Sequence, residues 1–149
     1  MHFPYRNDIR KTLIPYLTEL DPIDWYKKSS AYPKSIAWIV AHIAMSEDYW
    51  INSIYLKREF SLRIDENSTP SELVNSYIQI RNETDTLLQS LEHSMFNEVV
   101  EVPTFSDGWV PPSEPTVEWL FDHVFTHEAY HTGQIAIIAN LNNFKKPLF

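Results

Sequence analysis

Six histidines are spread over the chain, and three of them, His123, His127 and His131, sit four residues apart. In an α-helix a step of four residues turns about 400°, so each ring lies one turn above the last and roughly 40° around the axis. Two imidazoles placed in this way can hold one metal ion from a single helix. They also fall on an apolar stripe, where a buried imidazole costs free energy unless its ring nitrogens find partners. A metal satisfies one nitrogen on each ring and leaves the other to donate to a neighbouring acceptor.

Two helical ligands leave a coordination sphere unfinished. The best further ligand is His42, the only other histidine inside a strongly apolar segment, flanked by Trp38, Ile39, Ile43 and Met45. The expected metal set is therefore His42, His127 and His131. Three imidazoles plus water is the arrangement of a catalytic zinc-type site, since structural zinc sites close all four positions. His123 reads either as a ligand in place of His127 or, preferably, as a donor just outside the coordination sphere. His2 and His93, near segment ends, read as incidental.

Glu128 completes the segment His127-Glu128-Ala129-Tyr130-His131, which matches the two-histidine-and-glutamate signature of metalloprotease helices. That signature needs a third ligand downstream. From Thr132 to Phe149 there is no His, Asp or Glu, and the position of the extended third histidine, 137, is Ile. The protease reading is set aside. Glu128 lies about 100° around the helix from His127, at the flank of the seam. There it can act as a base on a bound water, pair with a neighbouring helix or face solvent.

Four helices must position these groups. Ile9, Leu13, Ile14, Leu17 and Leu20 recur at helical spacing over roughly Arg6 to Leu20, with Pro15 as an internal kink point. The second helix is expected from about Pro33 to Leu56. Its apolar arc is so broad that it belongs at the centre of the bundle. The third is expected from about Pro70 to His93, opened by a capping box at Thr69-Pro70-Ser71-Glu72. The fourth is expected from about Thr116 to Asn140, its apolar positions stepping by three or four and carrying the histidines. Between the third and fourth, residues 94 to 115 contain four prolines and a Ser106-Asp107-Gly108 turn signal. Val99, Val100 and Val102 suit a short strand. This long irregular connection, sticky with Phe105 and Trp109, either caps one bundle end or walls a site there. The fold class is all-α, a four-helix bundle formed by residues 1–149 as a single domain.

Composition narrows the partners. Hydrophobic residues make up 44% of the chain, enough for a globular core, and only 2 residues are Gly, which leans toward helices. There is no Cys, so disulfides, thiolate ligands and a cysteine nucleophile are excluded. Net charge is −8, from 12 basic and 20 acidic residues. An acidic surface repels phosphate backbones and anionic lipid, so neither nucleic acid nor membrane is an expected partner. Residues 1–13 do not read as a signal peptide, and a cytoplasmic location is expected.

Two stretches carry a family resemblance. Ser35-Ile36-Ala37-Trp38-Ile39-Val40-Ala41-His42-Ile43 resembles the second-helix motif of the DinB/YfiT-like superfamily. His123 through Ile135, with its Gly133-Gln134-Ile135 tail, resembles the last-helix motif of the same superfamily. The resemblance implies a four-helix bundle of up-down-down-up connectivity, frequently homodimeric, with a nickel- or zinc-type site at His42, His127 and His131. It also implies chemistry with a low-molecular-weight thiol such as bacillithiol, since the better understood relatives are thiol-dependent transferases or isomerases. Others are regarded as metal-dependent hydrolases. Many relatives carry Arg where this chain has Thr132, which points to a different substrate here.

Three functions are therefore expected in order of preference. In a metal-dependent S-transferase, a small thiol ionises at the open metal position and attacks an electrophile held near Trp38, Tyr49 and the Phe105–Trp109 loop, with His123 or Glu128 moving protons. In a metal-dependent hydrolase, water takes that position with Glu128 as base. The third is a non-catalytic, metal-binding stress-response module. A bundle with buried, hydrogen-bonded histidines and no metal is the plain alternative to all of them.

Overall fold

A computed structural model describes residues 2–148. Helix α1 spans Asp8–Glu19 and runs through Pro15, burying Leu13 and Leu17. Helix α2 spans Ile36–Asp48 and is capped by Ser35, whose Oγ accepts from the Trp38 amide at 3.1 Å. Helix α3 spans Pro70–Ser90 and opens with the expected capping box between Thr69 and Glu72. Helix α4 spans Val117–Leu141 and is capped by Thr116, which accepts from the Trp119 amide at 3.2 Å. No strand is present among the described residues, and no helix of them is long and apolar enough to cross a membrane.

The expected boundaries shift in three places. The second helix does reach Tyr55, but from Tyr49 onward it is a π-helix, closed by the Leu56 amide bonding to the Ile51 carbonyl at 3.0 Å. The π-helix begins right after Asp48. The buried Asp48 carboxylate accepts from the Ser61 and Leu62 amides, at 3.1 and 2.8 Å, and from Asn52 Nδ2 at 2.6 Å. The chain leaving the helix is thereby tied back onto the helix end. Helix α3 stops at Ser90, and His93–Asn97 forms a separate 3₁₀ turn. Val99, Val100 and Val102 form no strand. Val99 makes one isolated bridge to Thr116, and the connection is clipped by Val100 N–H to the Pro115 carbonyl (2.7 Å) and Val117 N–H to the Glu98 carbonyl (2.9 Å). Pro103, lacking an N–H, cannot extend a ladder there.

Side-chain pairings give the helix directions. His42 meets His131 and Trp50 meets His123, so α2 and α4 are antiparallel. Asn7 bonds Asp85 and Arg10 bonds the Tyr77 carbonyl, so α1 and α3 are antiparallel. Phe3 meets Phe121, Arg10 meets Glu128 and Tyr16 bonds the Lys145 carbonyl, so α1 and α4 run the same way. The connectivity is up-down-down-up, and the segment between α2 and α3 must return along the bundle.

The core has two apolar halves. One gathers Leu13, Leu17, Trp25, Ile36, Ile39 and Ile138, among others. The other gathers Trp50, Ile54, Leu88, Phe96, Leu120 and Phe121. Between them lies a charged layer to which each helix contributes one residue: Arg10, Glu47, Arg81 and Glu128, all 4% exposed or less. Arg10 donates to Glu47 at 3.0 Å and to Glu128 at 2.8 Å. Arg81 donates to Glu47 at 2.8 Å and to Glu128 as well. The Tyr77 hydroxyl also donates to Glu128. Burial pushes the Glu47 carboxyl up, but Arg81 and Arg10 outweigh it and hold the group below the usual range. A buried charge is tolerable only when paired and hydrogen-bonded in this way.

Candidate metal centre

Beside the charged layer, α2 and α4 bring three imidazoles together. His42, His127 and His131 each offer a ring nitrogen, and the three lie within 4.8 Å of one another. The His42 and His131 Nε2 atoms are 3.1 Å apart. A tetrahedral ion with metal–nitrogen distances of about 2.0–2.1 Å sets its ligand nitrogens roughly 3.3 Å apart, so this pair has the bite such an ion needs. The rings sit with centroids 4.4 Å (His42–His131), 4.4 Å (His127–His131) and 5.0 Å (His42–His127) apart.

The protonation states suit metal binding. Burial, reinforced by His131 and Lys34, lowers His42 to about 4. Burial, reinforced by His131, His42 and His123, lowers His127 to about 3. Both rings are therefore neutral at pH 7, the form that ligates. His131 is oriented from within α4: its Nδ1 lies 2.7 Å from Gln134 Oε1. That oxygen only accepts, so the ring proton belongs on Nδ1 and the Nε2 lone pair faces the other histidines. Trp38 stacks on His42 with centroids 4.7 Å apart and fixes that ring, and Lys34 Nζ lies 3.8 Å from the Trp38 ring centroid. An open cleft of about 290 Å³ beside His42 is bordered by Trp38, Met45, Asp65 and Glu66.

With this geometry in hand, the comparison with known proteins is direct. Residues 7–135 match the DinB superfamily. The chain belongs to the DinB superfamily. It is similar to the uncharacterized protein YizA of Bacillus subtilis (strain 168), 23% identical over 137 residues that cover 92% of this chain and 83% of that protein. The three histidines of this DinB-superfamily chain are those singled out from spacing and from the motif resemblance.

The other expected site residues fall into separate places. His123 is not in the three-histidine group. It stands one turn away in an aromatic enclosure, stacked on Trp119 (4.9 Å) and edge-on to Trp50 (4.8 Å), with Trp109 at 5.6 Å. Burial lowers its pKa. Trp109 and Tyr49 belong to this enclosure too, each packed near Phe105. In the 94–115 connection Phe96 and Val100 close the core, and Phe105 and Trp109 pack around His123, away from the three-histidine group. Trp38 alone of the expected binding aromatics touches a member of the histidine group.

Of the roles the sequence leaves open for Glu128, the structure shows pairing with neighbouring helices. Its carboxylate is 1% exposed and both oxygens are engaged, Oε1 by Arg10 and Tyr77 and Oε2 by Arg81. Three donors from α1 and α3 and near-complete burial place this carboxylate in the charged layer. Gln134 was not singled out for a role from the sequence. Its position three residues after His131, on the same helix face, is the signal that points to it.

Proposed function

We propose that the protein is a metal-dependent S-transferase that joins a low-molecular-weight thiol to an electrophilic small molecule. The observation that carries the proposal is the convergence, among the described residues, of three imidazoles from two antiparallel helices, two of them, His42 and His127, held neutral by burial. Zinc or nickel suits such a donor set, since imidazole favours both. A divalent ion held there supplies Lewis acidity, lowering the pKa of a thiol that reaches its open position.

The chain's own residues do the rest. His42, His127 and His131 hold the ion. Gln134 keeps the His131 lone pair aimed inward, and Trp38 keeps the His42 ring upright. The cleft beside His42 gives small molecules an approach. No residue of the chain is a thiol, so the nucleophile must arrive with the co-substrate. His123, neutral and enclosed by tryptophans, is the remaining candidate for proton transfer near the histidine group. The hydrolase alternative finds less support, because the base assigned to it, Glu128, is occupied by Arg10 and Arg81. The same reading places the protein in the cytoplasm as a homodimer acting on small molecules, and a net charge of −8 supports the absence of a nucleic-acid partner.

The test is a conjugation assay. Zinc- or nickel-loaded protein is offered a panel of small thiols, bacillithiol included, with an activated aryl halide or an epoxide. Thioether formation above the uncatalysed rate that disappears in His131→Ala supports the proposal. No acceleration with any thiol at full metal occupancy removes it.

A further inference from the structure

Beyond the charged layer, a second pair of imidazoles meets across the fold. His2 Nε2 lies 3.0 Å from His93 Nδ1. The separation nearly equals the 3.1 Å between His42 and His131. It falls within the span of about 2.9–3.4 Å that two nitrogens adopt on one octahedral or tetrahedral ion with metal–nitrogen distances near 2.0–2.1 Å.

Both partners are held in place. The His2 ring stacks on Phe96, with centroids 3.8 Å apart and planes 10° apart. Its other nitrogen, Nδ1, lies 3.7 Å from Glu118 Oε1 in the first turn of α4. At that distance the carboxylate is an electrostatic neighbour of Nδ1, favouring a proton there without accepting a hydrogen bond. A proton on Nδ1 leaves the Nε2 lone pair facing His93. His93 opens the 3₁₀ turn that follows α3. A surface pocket of about 350 Å³, bordered by both histidines, Arg6, Gln89 and Phe96, leaves room for water to fill further positions. The Arg6 charge is neutralised by Asp85 at 2.6 Å, so it does not repel a cation there.

We propose that His2 and His93 form a second divalent-cation site, selective for imidazole-preferring ions such as Zn²⁺ or Ni²⁺, with Glu118 as its positioning residue. Having two protein ligands instead of three, it binds more weakly than the His42–His127–His131 centre. The site is independent of the transferase reading, because it shares no residue with that centre.

The test is calorimetric titration of the untagged, metal-free full chain with Zn²⁺ alone. The wild type is expected to show two classes of site. His93→Ala and His2→Gln are expected to lose the weaker class and keep the tighter one; should one variant not fold, the other still reads the site. Glu118→Gln is expected to weaken the second class by about ten-fold or more. His42→Ala is expected to lose the tight class and keep the weak one, so failure of either centre is read separately. A single class in the wild type that His42→Ala abolishes and His2→Gln and His93→Ala both keep, or a weak class that persists in both His2→Gln and His93→Ala, overturns the proposal. The first outcome means a plain hydrogen bond between the two rings, and the second means unspecific surface binding.

Discussion

His131 Nδ1 lies 2.7 Å from Gln134 Oε1, one helical turn further along α4. The contact fixes both the tautomer and the tilt of a ring whose Nε2 must face His42. Gln134→Leu leaves that ring free to rotate and removes the acceptor for its proton. Metal affinity, measured by competition with a chelator, is expected to fall about 10- to 100-fold, with helix content unchanged. An affinity equal to that of the wild type would mean that packing alone orients His131.

Metal removal provides a second check. An ion that binds the folded state and not the unfolded one stabilises by mass action, by about 2.7 kcal/mol when its free concentration is a hundred times Kd. Adding Zn²⁺ to metal-free protein is therefore expected to raise the thermal midpoint. His42→Ala and His131→Ala are expected to lose most of that increment, and elemental analysis should find about one fewer ion per chain in each. An undiminished increment in both variants places the bound metal elsewhere.

The acid side of the stability curve follows from the same rings. Folding lowers His42 from 6.5 to about 4 and His127 from 6.5 to about 3, chiefly through burial. Between those values and 6.5 the unfolded chain binds protons that the folded chain does not, so acidification favours unfolding. Metal-free protein is expected to be most stable above pH 6.5 and to lose stability steadily down to pH 5, before most carboxylates titrate. Thermal midpoints over pH 7.5 to 5 measure this, and His127→Leu should flatten the profile. A wild-type profile already flat in this window contradicts the expected burial of the rings.

Glu128→Gln separates a structural role from a catalytic one. It removes one charge from a paired, buried set and leaves Arg10 and Arg81 under-compensated. Breaking such a pair typically costs about 3–5 kcal/mol, which urea unfolding reads directly. Metal stoichiometry is expected to remain that of the wild type. A Glu128→Gln protein of normal stability but without activity would instead return Glu128 to the reaction.

Much of this was legible in the sequence because it is periodic or local. Histidines at steps of four, a broad apolar arc around His42 and a capping box at Thr69 and Glu72 each encode their geometry within a few residues. What was not legible depends on distant partners. Glu128 reads from the sequence as a base, a helix-pairing group or a solvated one, and its environment is made by Arg10 and Arg81, 118 and 47 positions away. Neither the π-helix after Asp48 nor the tie of Asp48 to the Ser61 and Leu62 amides is announced by helical periodicity. Val99, Val100 and Val102 have strand-forming side chains, but a strand needs a partner that the bundle does not offer.

Glu128 is bonded to Arg10 and Arg81 while its neighbour His127, about 100° around α4, meets His42. Because every helix gives one charge to the buried layer, sliding any helix by a single residue would strand a charge in the core. The layer therefore works as an alignment key. It sets how far along α2 and α4 the metal ligands stand relative to one another, without touching the metal. Residues around the cleft are then free to drift and alter what the protein accepts, while the spacing of the ligands is guarded from a neighbouring face of the same helix.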